Sequence, residues 1–189
     1  MSHAQVRDSV GAPAHGSPSS FWQRVLGAVR LEPGTWQEIL EDGEGGGQAA
    51  VVVAGASAAS ATADFLGFDG TPITALLSFL STLSTWLLLS LLLWGLAHWF
   101  RHRLHVGASF RIVGFSMAPL MLVVLAAIPA APVQLVVRLL AFSLFFAALV
   151  GGTRQALRVE TTRAVFVCAM TGLVGIFVTM LLLFLAASP

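Results

Sequence analysis

Five apolar stretches run approximately from Gln48 to Leu66, Ile73 to Phe100, Arg111 to Ile128, Val133 to Val150 and Thr161 to Ala187. A helix rises about 1.5 Å per residue and a hydrocarbon core is about 30 Å thick, so each stretch can cross a bilayer as a helix. The gaps between them are too short to hold soluble domains. In hydrocarbon every backbone polar group has to be satisfied within the chain, which the α-helix does. The expected fold is an all-α integral membrane protein: a five-transmembrane-helix bundle over residues 48–189, preceded by a short amphipathic N-terminal helix.

The basic residues set the orientation. Arg7, Arg24 and Arg30 precede the first span; Arg101, Arg103 and Arg111 fall between the second and the body of the third; Arg154, Arg158 and Arg163 fall between the fourth and fifth. The alternate gaps, Gly67 to Pro72 and Pro129 to Pro132, hold none, nor does the C-terminal tail. Segments rich in arginine stay cytoplasmic, so the N-terminus is expected inside and the C-terminus outside, and five crossings make the two statements agree. Arg24, Arg30, Arg101, Arg103, Arg154 and Arg158 are then candidates for contact with anionic lipid or a partner at the inner face. All ten basic residues are arginine in an Ala-, Gly- and Val-rich chain, a bias that suggests a bacterium and hence the inner (plasma) membrane.

With 57% hydrophobic and 10% charged residues the chain has too little polar surface for a soluble globule, and a net charge of +1 offers nucleic acid no basic face. The lone Cys168 excludes an intramolecular disulfide and any cysteine-based metal cluster. Residues 1–20 lack a signal-peptide core, so the first span is expected to direct insertion.

Before the membrane, residues 1–19 are Ser-, Gly-, Ala- and Pro-rich without periodicity and are expected to be disordered. Residues 20–47 read as a cytoplasmic interfacial segment. Phe21, Trp22, Val25, Leu26 and Val29 share one helical face, and Ser20 with Gln23 has capping-box spacing. Pro33-Gly34 is expected to end that helix, and Thr35 with Glu38 to cap a further turn through Trp36, Ile39 and Leu40. The segment grips the inner leaflet or a partner, or it packs under the bundle. In the first span Gly55, Ala59 and Ala63 recur every four residues, a spacing that lets backbones approach closely and is expected to place this span among the others. Pro119 in the third span is expected to bend it.

Two ionisable residues lie inside the spans, Asp64 and Arg138, at similar depth in the outer half. They suit a polar site or ion path, or a structural pair. His98, His102 and His105 would share a face if the second span continued through Arg103. The interleaved arginines oppose a bound cation, so no metal and no cofactor is expected. No phosphate loop, nucleophile elbow or HExxH motif is present, which argues against an enzyme.

Three features carry a resemblance that covers most of the chain. They are Val25 to Trp36, where apolar residues lead to Pro33 and then Trp36; Gly107 to Arg111 running into Val113 to Pro119, with Gly114, Phe115 and Pro119 at the spacing of a Gly-Tyr-x-x-x-Pro element; and five spans with a short loop ending in Arg163-Ala164. In these the chain resembles the Yip family of integral membrane proteins, named for interaction with Ypt/Rab GTPases, and in particular its prokaryotic branch. Phe115 stands where that element has a tyrosine, which removes a hydroxyl. The resemblance implies a non-enzymatic five-helix membrane protein, and it carries no GTPase binding over to this chain because the N-terminal region is short. The inner arginines and the N-terminal helix make a membrane organiser or adaptor binding partners or anionic lipid the leading reading. A small transporter or an accessory subunit of a transport complex is the alternative, favoured by Asp64, Arg138 and the third span. A membrane-protein partner or a homo-oligomer would fit either. In a Cys168→Ala background, a cysteine at Ala131 should react with an impermeant thiol reagent from outside and one at Gln155 should not; the reverse pattern would invert the topology.

Overall fold

The computed structural model describes residues 20–42, 45–67, 70–101, 104–128 and 130–187, the side chains of 179 and 181–187 excepted. The N-terminal tail, His102 and Arg103 lie outside the described residues. Seven α-helices follow in chain order: α1 (Phe21–Val29), α2 (Pro33–Glu41), α3 (Gly45–Gly67), α4 (Pro72–Trp99), α5 (Val106–Ser116), α6 (Ala131–Leu157) and α7 (Thr161–Ala187), with a 3₁₀ segment, Ala118–Ala127, directly after α5. Five elements are long and apolar enough to cross a membrane: α3, α4, α5 with the 3₁₀ segment, α6 and α7. Among the described residues there is no strand. The protein is a multi-pass membrane protein.

Local chemistry explains the helix starts. The Ser20 hydroxyl accepts from the Gln23 amide while the Gln23 side chain accepts from the Ser20 amide, closing a capping box on α1. Thr71 and Thr74 repeat the arrangement on α4, with Pro72 at the first helical position. The expectation for α2 needs correction. Pro33-Gly34 opens that helix instead of ending α1, Glu32 is its N-cap without a side-chain bond, and Thr35 sits inside it. Proline's fixed φ suits the first helical position and it has no amide to leave unpaired there, so the helix starts before Thr35 can cap it.

The third span is the hub, packing against α3, α4, α6 and the α1–α2 pair, while α7 packs on α4 and α6. It changes form half-way. The α-helical ladder stops at Ser116, Met117 caps it, and with Pro119 in its first turn the chain continues as a ten-residue 3₁₀ helix. Proline cannot donate to the carbonyl one turn back, so the α pattern yields there. The small-residue span α3 presents Ala49, Val52, Ala56, Ala59 and Ala63 inward but leaves Val51, Phe65 and Leu66 exposed. It also exposes small side chains, Ala50, Ala54 and Ala58, and the third span, not the first, is the most enclosed.

Two glycines set close approaches between elements of the bundle. A Cβ on Gly114 would stand 2.8 Å from the Ala49 Cβ, and one on Gly152 would stand 2.8 Å from the Trp36 ring and 2.9 Å from Ile112. Backbones thereby meet where van der Waals packing is the main attraction between helices in lipid. Gly152→Val should cost about 1–3 kcal/mol by overpacking, read as a lowered thermal midpoint in detergent. Gly95→Ala, where nothing lies within 4 Å, should be neutral or slightly stabilising.

Candidate functional site

The α1–α2 pair is built into the bundle. Trp36 and Ile39 from α2 and Val25 and Ala28 from α1 form one buried cluster with Ala49, Val52, Phe115, Ala118 and Ala148. The residues singled out as family-like thus converge. Pro33 starts the helix that delivers Trp36, Gly114 lets α5 reach α3, and Phe115 is fully buried beside them. Being an apolar ring in an apolar cluster, Phe115 has no polar atom to satisfy.

A charged network ties the same pair to the third span. Arg24, only 6% exposed, forms an ion pair with Asp42 and also donates to the Gln48 side chain at 3.2 Å. Arg111 donates to the Asp42 carbonyl and, at 3.0 Å, to the Leu40 carbonyl. These are carbonyls at the C-terminal end of α2, which have no partner within the helix, and a cation is favoured there. Arg24 is therefore a structural residue and not an exposed inner-face contact, because its charge is already matched inside the protein. The role of Arg111 was missed by sequence reading, since a pairing across about seventy residues has no local periodicity.

The other candidate arginines among the described residues face outward. Arg30, Arg101, Arg154 and Arg158 are exposed, as is Arg163. Arg30 caps α1, and the others sit where α4 and α6 end and where α7 begins. Leu31, Arg101 and Arg158 take left-handed backbone conformations at helix ends. On α1 the apolar face divides: Val25 is buried, whereas Trp22 is 68% and Leu26 54% exposed. α4 stops at Trp99, with Arg101 turning left-handed, so His98 and His105 do not share one continuous helix. His98 stacks on Trp94 and His105 caps α5. Among the described residues no three histidine, cysteine or carboxylate side chains gather as metal ligands.

At the opposite end of the bundle Arg138 Nη2 lies 2.8 Å from Asp64 Oδ1. Asp64 is in the last turn of α3, where the helix dipole disfavours an anion, and Arg138 from the second turn of α6 offsets this. Both remain partly open, 36% and 49% by side chain. They line a cavity of about 850 Å³ bounded by α4, α6 and α7, with α3 contributing Ser60 and the third span Met117, Leu120 and Val123. Its α4 wall is a column of hydroxyls, Thr74, Ser78, Ser81, Thr82 and Thr85. Sequence reading passed over this column, although its spacing of four, three, one and three residues inside a Leu-rich helix is the signal of one polar face.

The pattern of the Yip1 domain matches residues 17–182. The chain belongs to the Yip1 family. No curated protein and no solved structure matches it. The match gives the family and does not extend to the prokaryotic branch. It spans the α1–α2 pair and the five candidate crossings, so the Trp36 cluster, the Arg111 network and the Asp64–Arg138 pair all lie within the matched domain. In a double-mutant cycle, Asp64→Asn and Arg138→Gln should be coupled by roughly 0.5–3 kcal/mol, the double variant unfolding less readily than additivity requires. Strict additivity in thermal unfolding would show that the pair contributes nothing.

Proposed function

We propose that this Yip1-family protein is a non-enzymatic membrane organiser that binds anionic lipid at the face carrying α1, α2 and the exposed arginines. That face is the cytoplasmic one in this reading, with the N-terminus inside the plasma membrane of a bacterium and the C-terminus outside. The observation that carries it is the divided surface of α1. One side is fastened to the bundle through Val25 and Ala28, while Trp22 and Leu26 stay exposed next to Arg30. A helix held in this way presents apolar side chains at interfacial depth with cationic groups beside them, and a surface of anionic headgroups over acyl chains satisfies both. The same surface would serve for a partner's amphipathic helix. The docked α1–α2 pair is a poor detachable arm, because removing it would strip Trp36 and Ile39 from the core.

A transport or transport-accessory role is the second reading, favoured by the cavity beside Asp64 and Arg138.

The organiser reading is tested by lipid retention. Protein extracted into detergent with excess phosphatidylglycerol should retain it in a salt-sensitive way. The Arg154→Gln/Arg158→Gly variant should retain roughly thirtyfold less, at about 1 kcal/mol for each arginine. Glycine at 158 also relieves the left-handed backbone there, where φ is 51°. Trp22→Ser with Leu26→Ser should weaken retention without lowering the thermal midpoint, both side chains being exposed. Unchanged retention and salt dependence in both variants would sink the reading.

A further inference from the structure

The cavity at the far end of the bundle has features that the inner-face reading does not use. Most of its lining is apolar, with Leu77, Leu89, Phe142, Phe146, Ile176 and Met180 among the wall residues. Its charged groups, Asp64 and Arg138, sit within two turns of their helix ends, which is the depth of headgroup and glycerol in a bilayer. At about 850 Å³ it falls in the ~300–1,000 Å³ range of small-molecule sites.

The ion pair leaves bonding capacity unused. A guanidinium carries five N–H donors and a carboxylate about four acceptor positions, and the contact between them is a single 2.8 Å bond. A pair so incompletely satisfied is costly near hydrocarbon unless something else completes it. The completing group has to bring a donor cation to Asp64 and an acceptor anion to Arg138 side by side. The α4 wall adds acceptors: Thr82 donates to the Ser78 carbonyl at 3.1 Å and Thr85 to the Ser81 carbonyl at 2.8 Å, so their lone pairs remain. These short side chains also create the space, since leucine on the same face would fill it.

We propose that the cavity binds one aminophospholipid from the adjacent leaflet, its ammonium on Asp64, its phosphate on Arg138 and an acyl chain along the apolar wall. The charges match one for one, a zwitterionic headgroup against a zwitterionic pair. A phosphatidylglycerol headgroup has no ammonium for Asp64, and the quaternary ammonium of phosphatidylcholine has no N–H to donate.

Native mass spectrometry of the full chain tests this, after exchange into detergent with equal amounts of phosphatidylethanolamine, phosphatidylglycerol and phosphatidylcholine carrying the same acyl chains. High salt during exchange weakens lipid association with the exposed arginines, so failure of the inner-face reading leaves this experiment unaffected. One phosphatidylethanolamine per chain should be retained, favoured about tenfold over the other two. Asp64→Asn should abolish the preference. Gly172→Leu gives a second handle that leaves the pair intact. Gly172 lines the cavity and has nothing within 4 Å of an added Cβ, so leucine enters the space without a backbone clash and should expel the lipid. Equal retention of the three lipids, or preferential retention unaffected by Gly172→Leu, overturns the proposal. So does a dimer that Gly172→Leu dissociates, since a second copy would then be the occupant.

Discussion

Helices in lipid gain no hydrophobic free energy from meeting one another, so the bundle depends on how closely its backbones approach. The contacts at Gly114 with Ala49 and at Gly152 with Trp36 are those approaches. The first brings α3 onto the third span. The second makes a slot in α6 for a tryptophan that belongs to the segment before the membrane. Because Trp36 and Phe115 share one buried cluster, the α1–α2 pair and the spanning helices form a single packed unit.

Electrostatics reinforces the same joint. Arg24 and Arg111 converge on the end of α2, one on the Asp42 side chain and the other on main-chain carbonyls. Buried charges of this kind specify an arrangement more than they stabilise it, since desolvation offsets much of the attraction. Their pairing also removes two of the ten arginines from the surface. Among the described residues, Arg30, Arg101, Arg154, Arg158 and Arg163 stay exposed.

Much of this was legible because hydrocarbon imposes simple rules. The five crossings follow from apolar length, and the break in the third from Pro119. The Ser20–Gln23 capping box follows from local spacing. Trp36 and Phe115 could each be singled out, but nothing local said that they would join one cluster, because that depends on α6 lying beside both. Arg24 looked like every other pre-membrane arginine. Its burial depends on Asp42, eighteen residues on, being brought round by the turn at Leu31. The hydroxyl column on α4 was readable from spacing alone and was obscured by the leucines between its members. Asp64 and Arg138 drew notice through their rarity at that depth. Their contact is a matter of topology, since α3 and α6 both pack against the 3₁₀ segment.

The long 3₁₀ segment bears on the order of assembly. A 3₁₀ helix has poorer hydrogen-bond geometry than an α-helix and seldom persists beyond one turn by itself. Ten residues of it, running against α3 on one side and α6 on the other, are held by those neighbours. α3 has already been synthesised when the third span emerges, but α6 has not. The third span can enter the bilayer before its final shape exists and settles into that shape only when α6 arrives, which makes insertion and completion of this crossing separate events.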